Sequence, residues 1–270
     1  MEVGFILPGG STSEQVALGV LAEESGWDGV FVWEAGYGVD AWALLAALAV
    51  RTHQTDLGTL LTPLPWRRPW KLASQVATID QLAPGRVILT LGLGALTEDL
   101  PRTGEIEDLR ERATLLDDGI DLMHALWSGS TSFEGTRYHY TFDRDDQVRL
   151  MRPARGSIRV WVVAAWPRLK SMRRVLRVSG VVPQFADDGG GPADAHNVRQ
   201  WLLAHGASPD ADVIAQGQTV PGRSAEDEVA AWATAGCTWW LETNWEMPHH
   251  SAARMRQVKE RLAAGPPRPG

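Results

Sequence analysis

The sequence predicts an α/β fold, a single (β/α)8 TIM barrel, and three observations lead there. Short β-branched runs alternate with helical patterns from one end of the chain to the other, and the alternation repeats eight times. The 270 residues, 44% of them apolar, suit one barrel, which commonly needs about 250. Strands separated by helix-length segments pair in parallel through crossover helices. An open, doubly wound sheet is the structural competitor; repeated units without a domain break favour closure.

Val3–Leu7 reads as the first strand. Ser11-Thr12-Ser13-Glu14 is a Ser-x-x-Glu capping box that opens a helix ending at Gly26. Gly29–Trp33 is the second strand, and Asp40 caps a helix through Val50. Asp56–Thr62 is the third strand, and Pro69 stands at the start of a helix ending near Gln81, where its missing N–H does no harm. Val87–Gly92 is the fourth strand. The longest helix, Glu105 to Trp127, carries an apolar stripe of Leu109, Leu116, Ile120 and Met123. Phe133-Glu134-Gly135-Thr136 makes a turn in a small hairpin inserted near 131–140, outside the alternation.

Ile158–Ala164 is the fifth strand, Arg168–Val178 a helix and Gly180–Phe185 the sixth strand. Asp187 to Pro192 is a polar, glycine-rich break expected to be a mobile loop. Helix Ala193–His205, strand Asp212–Gln218, helix Ala225–Ala235, strand Thr238–Glu242 and a helix near Ser251–Ala264 complete the series. The expected domain spans 1–264, and 265–270 is expected to be a disordered tail.

Composition excludes several classes. A formal net charge of -7 lacks the basic footprint of a nucleic-acid binder. The single cysteine, Cys237, rules out an intrachain disulfide, and its place beside a strand start reads as core. Met1–Pro8 lacks the basic and apolar regions of a signal peptide, and Ala41–Val50 is too short to span a bilayer. The expectation is a cytoplasmic protein with no membrane and no nucleic-acid partner. The histidines form no metal signature, since His249 and His250 are adjacent rather than spaced as ligands.

In such barrels chemistry sits at the C-terminal ends of the strands. Gly92-Leu93-Gly94 ends a strand but lacks the third glycine of a dinucleotide fingerprint, and a turn requiring positive φ explains it equally well. Ala164-Ala165-Trp166-Pro167-Arg168-Leu169-Lys170 leads into a helix whose free N–H groups could receive a phosphate, assisted by Arg168 or Lys170; a solvated basic helix is the alternative, above all for Arg173 and Arg174. Glu34 is the acidic residue at an early strand end with Trp33 and Trp42 nearby, and partial burial there would fit it for proton transfer; a solvated loop carboxylate is the alternative.

The run from Leu57 to Pro69 (Leu57-Gly58-Thr59-Leu60-Leu61-Thr62-Pro63-Leu64-Pro65-Trp66-Arg67-Arg68-Pro69), continued by Lys71 to Arg86 and Leu91-Gly92-Leu93-Gly94, resembles the third strand and following segments of the luciferase-like monooxygenases. Arg112 to Trp127, Phe133-Glu134-Gly135, Trp166-Pro167 and Gly236 to Glu242 are similar to further parts of that family, so the likeness runs over residues 3 to 245. It implies a luciferase-like barrel that binds FMN or the deazaflavin coenzyme F-420, not distinguishable from the sequence. It also implies a bulge, often with a non-proline cis peptide, within Thr59-Leu60-Leu61. Cofactor contacts are then expected from Thr59, Leu60, Leu61, Gly92, Leu93, Gly94, Ala164, Ala165, Trp166 and Arg168, with Glu34 as the catalytic candidate or as a partner of the ring's pyrimidine edge. The family's second strand commonly ends Asp-His, whereas this chain has Glu34-Ala35.

The resemblance thus implies a flavin- or deazaflavin-dependent oxidoreductase or monooxygenase acting on a small organic substrate. A separate reductase as partner and a homodimer follow from the same likeness. A barrel that binds a cofactor or small ligand without redox turnover is the alternative, motivated by Ala35. Non-redox acid–base chemistry through Glu34 is a third reading.

Overall fold

Segments rich in Val, Leu and Ile are buried on both faces, as parallel strands between a packed interior and a helical layer must be. A computed structural model describes residues 1–36, 38–95, 104–185, 189–243 and 252–268. Its barrel strands are β1 (Glu2–Ile6), β2 (Gly29–Val32), β3 (Asp56–Thr59), β4 (Val87–Gly92), β5 (Arg159–Trp166), β6 (Gly180–Phe185), β7 (Asp212–Gly217) and β8 (Trp239–Glu242). The helices after them are α1 (Thr12–Glu24), α2 (Ala41–Ala49), α3 (Pro69–Leu82), α4 (Leu109–Ser128), α5 (Leu169–Met172), α6 (Pro192–Ala204), α7 (Arg223–Thr234) and α8 (Ala252–Ala263).

Each strand pairs in parallel with its neighbours in chain order. Leu57 opposite Val87 joins β3 to β4, and Val3 opposite Trp240 joins β8 back to β1, so the sheet closes. This is the (β/α)8 barrel expected, and the open-sheet competitor is excluded.

Alternate side chains point inward. Phe31 stacks on Trp161 with ring centroids 5.5 Å apart, and Trp239 meets both edge-on at 5.8 and 5.4 Å. Glycines make the room: a Cβ on Gly58 would stand 2.6 Å from the Phe31 ring, and one on Gly29 2.9 Å from Trp239. Trp161 Nε1 donates to Asp212 Oδ2 at 2.9 Å. Trp239 and Asp212 open their strands, so this aromatic cluster plugs the N-terminal end of the barrel. A ligand must therefore enter from the other end.

Local signals set the element boundaries. Ser11 and Glu14 form the capping box of α1, and Asp40 accepts from the Ala43 N–H at the start of α2. The long helix begins at Leu109 rather than Glu105, because Asp108 caps it by accepting from Glu111 N at 2.7 Å. The hairpin pairs Ser132–Glu134 with His139–Thr141, and a single helical turn at Asp146–Arg149 follows, which no periodicity had indicated. The helix predicted for Arg168–Val178 is instead the one-turn α5 and a 3-10 segment, Arg173–Arg177. Of the break predicted at Asp187 to Pro192, residues 187 and 188 lie outside the described residues. The chain after α8 is described through Arg268, whose guanidinium pairs with Asp28 at 2.8 Å.

Candidate active site

The third strand does not run from Asp56 to Thr62. It stops at Thr59, the Leu60–Leu61 peptide is cis, and pairing resumes with Thr62 opposite Leu91 of β4. Three hydrogen bonds hold this bulge: the Thr59 hydroxyl donates to Thr90 O at 3.3 Å, Thr62 donates to Thr59 at 3.1 Å, and Trp42 Nε1 donates to Thr62 at 3.2 Å. Leu60 turns into the barrel interior, while Leu61 stays half-buried at the rim.

The neighbouring β4 end is shaped to this bulge. A Cβ on Gly92 would lie 2.6 Å from Leu61, and Gly94, at φ +80°, has Trp66 and Pro63 within 2.8 Å of where its Cβ would be. These two glycines therefore admit protein side chains, and the space beside them is already filled. Arg112, buried at the start of α4, donates to Ile106 O and, at 3.1 to 3.4 Å, to the carbonyls of Leu93, Gly94 and Ala95. Its guanidinium also lies 5.9 Å from the centre of the Trp66 ring. One side chain thus ties down the loop leaving β4.

Glu34 follows β2 and faces Arg67 in the loop after the bulge. Arg67 Nε donates to Glu34 Oε1 at 2.5 Å, and a second guanidinium nitrogen contacts the same oxygen. The Glu34 side chain is 7% exposed, and its Oε2 has no hydrogen-bond partner among the described residues. Burial pushes the Glu34 pKa up, against the opposing pull of Arg67 and the Thr62 hydroxyl. Ala35 beside it offers no group that can carry a proton.

On β5, Ala164 is buried and the Ala165 N–H donates to the Ser171 hydroxyl at 3.0 Å. Trp166 is half-buried and joined to Pro167 by a cis peptide. Arg168 is exposed and has no ion-pair partner among the described residues. The helix expected to direct its N–H groups at a phosphate is only one turn, and Arg168 and Lys170, both exposed, stay the candidate phosphate contacts. Arg174 is no solvated side chain: it is buried and forks onto Asp117 at 2.8 and 3.0 Å.

The expected cofactor residues on β3, β4 and β5 form one continuous sector of the rim, since Leu91 of β4 pairs with Val162 of β5. Glu34 joins that sector from β2 through Arg67. Arg67 and Arg112 received no role from the sequence, because neither spacing nor neighbours reveal a partner so far along the chain. Glu242, the carboxylate ending β8, is fully buried and engaged by Thr219, Trp240 and Arg261, which keeps it from the rim. Burial pushes the Cys237 thiol up to about 12, so it is core and no nucleophile.

A cavity of about 490 Å³ opens on the opposite face of the barrel, lined by Glu2, Glu23, Asp28, Asp56, Arg159 and Arg268 among others. Its groups serve the fold. Glu23 accepts the N–H groups of His53, Gln54 and Thr55, Asp56 pairs with Arg159, and Asp28 pairs with Arg268.

Comparison with known proteins agrees with this architecture. The profile of the luciferase-like monooxygenase family matches residues 1–268. The F-420-dependent glucose-6-phosphate dehydrogenase of Nakamurella multipartita is 30% identical over 165 residues, covering 57% of this chain and 47% of that protein. The chain thus aligns with about half the length of the curated relatives it matches. Among solved structures, the monooxygenase RslO1 from Streptomyces bottropensis superposes with a TM-score of 0.72 at 18% identity, covering 98% of both chains. An F-420-dependent secondary alcohol dehydrogenase, solved with an F-420–acetone adduct, gives 0.67 at 16% identity, covering 97% of this chain and 81% of the other.

Proposed function

The chain belongs to the luciferase-like monooxygenase family, and from that premise we propose that it is a flavin- or deazaflavin-dependent oxidoreductase acting on a small organic substrate. The observation that carries the reading is the interrupted third strand: Leu61 stands at the rim of a barrel whose floor is closed by Phe31, Trp161 and Trp239. The residues present fit a flat, uncharged ring. The half-buried Leu61, Leu93 and Ala165 offer such a ring apolar partners at the rim, and the plug beneath stops a ring from sinking.

FMN or coenzyme F-420, when bound, supplies hydride transfer or oxygen activation. Leu60 and Leu61 support the ring, and the loop from Gly92 to Ala95, clamped by Arg112, forms the wall beside it. Ala164 to Trp166 continue that wall, and Arg168 meets an anionic tail. Ala35 cannot move a proton, so within this sector Glu34 is the candidate to hold one at Oε2, and Arg67 sets its orientation. A separate reductase, a cytoplasmic location and a homodimer belong to the same proposal. No helix among the described residues is long and apolar enough to cross a membrane.

Titrating the cofactor-free protein with FMN and with coenzyme F-420, followed by absorption and fluorescence, tests the reading. One of them should bind, and substitution of Leu61 by Asp should weaken that binding on the order of tenfold or more. Binding of neither would refute the assignment. Bleaching of the bound cofactor by a reductant, with no substrate-dependent reoxidation across a broad panel, would leave a binding barrel without turnover.

A further inference from the structure

The Glu34 carboxyl group and the bulge meet at one hydroxyl. Val32 of β2 pairs with Thr59, and its carbonyl accepts from the Leu60 N–H at 2.8 Å, so the end of β2 that leads to Glu34 runs alongside the bulge. Burial dominates the raised pKa of Glu34, and after Arg67 it is the Thr62 hydroxyl that pulls it back down. The Thr62 proton nevertheless goes elsewhere. Thr62 donates to Thr59, Thr59 donates to Thr90 O, and Glu34 Oε2 is left without a hydrogen-bond partner among the described residues. Thr59 and Thr62 are fully buried, so bulk water does not stand in for a missing partner.

A hydroxyl has one proton and two lone pairs. Trp42 Nε1 occupies one lone pair of Thr62 at 3.2 Å. With a proton on Oε2, Glu34 has a donor for the other lone pair; Thr62 then donates to Thr59, Thr59 to Thr90 O, and every member is satisfied. Without that proton the carboxylate only accepts, and it competes with Thr59 for the single Thr62 proton. A charged acceptor draws a hydrogen bond more strongly than a hydroxyl does, so the proton turns from Thr59 toward Glu34. Arg67 holds Oε1. The charged groups acting on Glu34 among the described residues are Arg67 and Asp40, which starts α2 and lies 3.7 Å from Arg67. Helix α3 adds the neutral Gln75, 3.4 Å from Arg67.

Resting on the function proposed above, we infer that Thr62 is a positioning residue whose one proton is shared between Glu34 and Thr59, so that gain or loss of the Glu34 proton rearranges the hydrogen bonds of the bulge that supports the ring. Leu60 and Leu61 lie between the two threonines. The proton carrier and the ring support are thereby a single unit, although one belongs to β2 and the other to β3.

Carbon-13 NMR of cofactor-free protein, labelled at glutamate carboxyl carbons and threonine methyls, reads both ends across a pH titration. The Glu34 signal is identified by its loss in Glu34→Gln. In the unsubstituted chain the Thr59 methyl should follow the Glu34 midpoint, and that response should vanish in Glu34→Gln. Thr62→Val removes the shared donor and should raise the Glu34 midpoint by about one pH unit. Thr59→Val removes the competitor, leaves the Thr62 proton to Glu34 and should lower the midpoint. Thr62→Ser keeps the hydroxyl and should restore the original midpoint. A general loosening of the fold would move both valine variants in the same direction. Should Thr62→Val fail to fold, Thr59→Val decides alone, by lowering the midpoint or not. A midpoint indifferent to the substitutions, shifts of one sign, or a Thr59 methyl that ignores Glu34 would overturn the inference. Failure of both FMN and coenzyme F-420 to bind would refute the oxidoreductase assignment, while these midpoints, read without cofactor, would still decide the role of Thr62.

Discussion

Glu34 shows how a single residue takes its properties from its neighbours. Its pKa rises above the ordinary 4.5 because burial outweighs the ion pair with Arg67. The folded chain thus holds this proton more tightly than the unfolded one. Glu34 supports folding below pH 4.5, and that support is lost as the pH rises through its folded-state pKa. Replacement by Gln keeps the shape and removes the titration. Urea unfolding from about pH 4 to about pH 7 should show the unsubstituted chain losing more stability relative to Glu34→Gln as pH rises. Parallel curves would mean that Glu34 does not titrate in that window. Its position at a strand end and beside tryptophans was legible in the sequence. Its partner was not, because Arg67 lies 33 residues away.

At the scale of elements, the cofactor sector depends on how β3, β4 and α4 lock together. The hydroxyls of Thr59 and Thr62 hold the interruption of β3, and Gly92 yields its space to Leu61. Arg112 then joins the first turn of α4 to the loop leaving β4. Arg112→Met would strand several carbonyls that now accept from one guanidinium. We expect a loss of about 3 kcal/mol in urea-unfolding stability together with weaker cofactor binding. Full stability with unchanged cofactor affinity would show that water replaces the guanidinium and that the clamp is dispensable. The helix predicted for Arg168–Val178 after β5 is shorter than expected, one turn followed by a 3-10 segment. Pro167 and the side chain of Ser171 turn the chain into a single turn, and Arg174 is drawn inward by Asp117.

Across the whole molecule, the barrel is a closed cylinder with one end filled. Phe31, Trp161 and Trp239 occupy the space that Gly4, Gly29, Gly58 and Gly180 leave open, so large and small residues from different strands interlock. Trp161→Ala would empty the centre of this plug and remove the hydrogen bond to Asp212. A loss of about 3–5 kcal/mol is expected, read as a lowered unfolding midpoint with helical circular dichroism retained at low denaturant. A change under about 1 kcal/mol would show that the rings of Phe31 and Trp239 collapse into the gap. The abundance of tryptophan was visible in the composition, but this use of it was not.

Alternation of period-two and helical segments, the capping residues Ser11 and Asp40, and the proline at the start of α3 were enough to determine the elements and to favour a barrel over an open sheet, because each acts within a few residues of itself. The run from Leu57 to Gly94, through its likeness to the luciferase-like family, also located the bulge and its glycine-rich neighbour. What the glycines accommodate and which arginine clamps which loop were decided only by the tertiary structure. Those contacts join residues far apart in the chain, and ring closure and strand register bring them together.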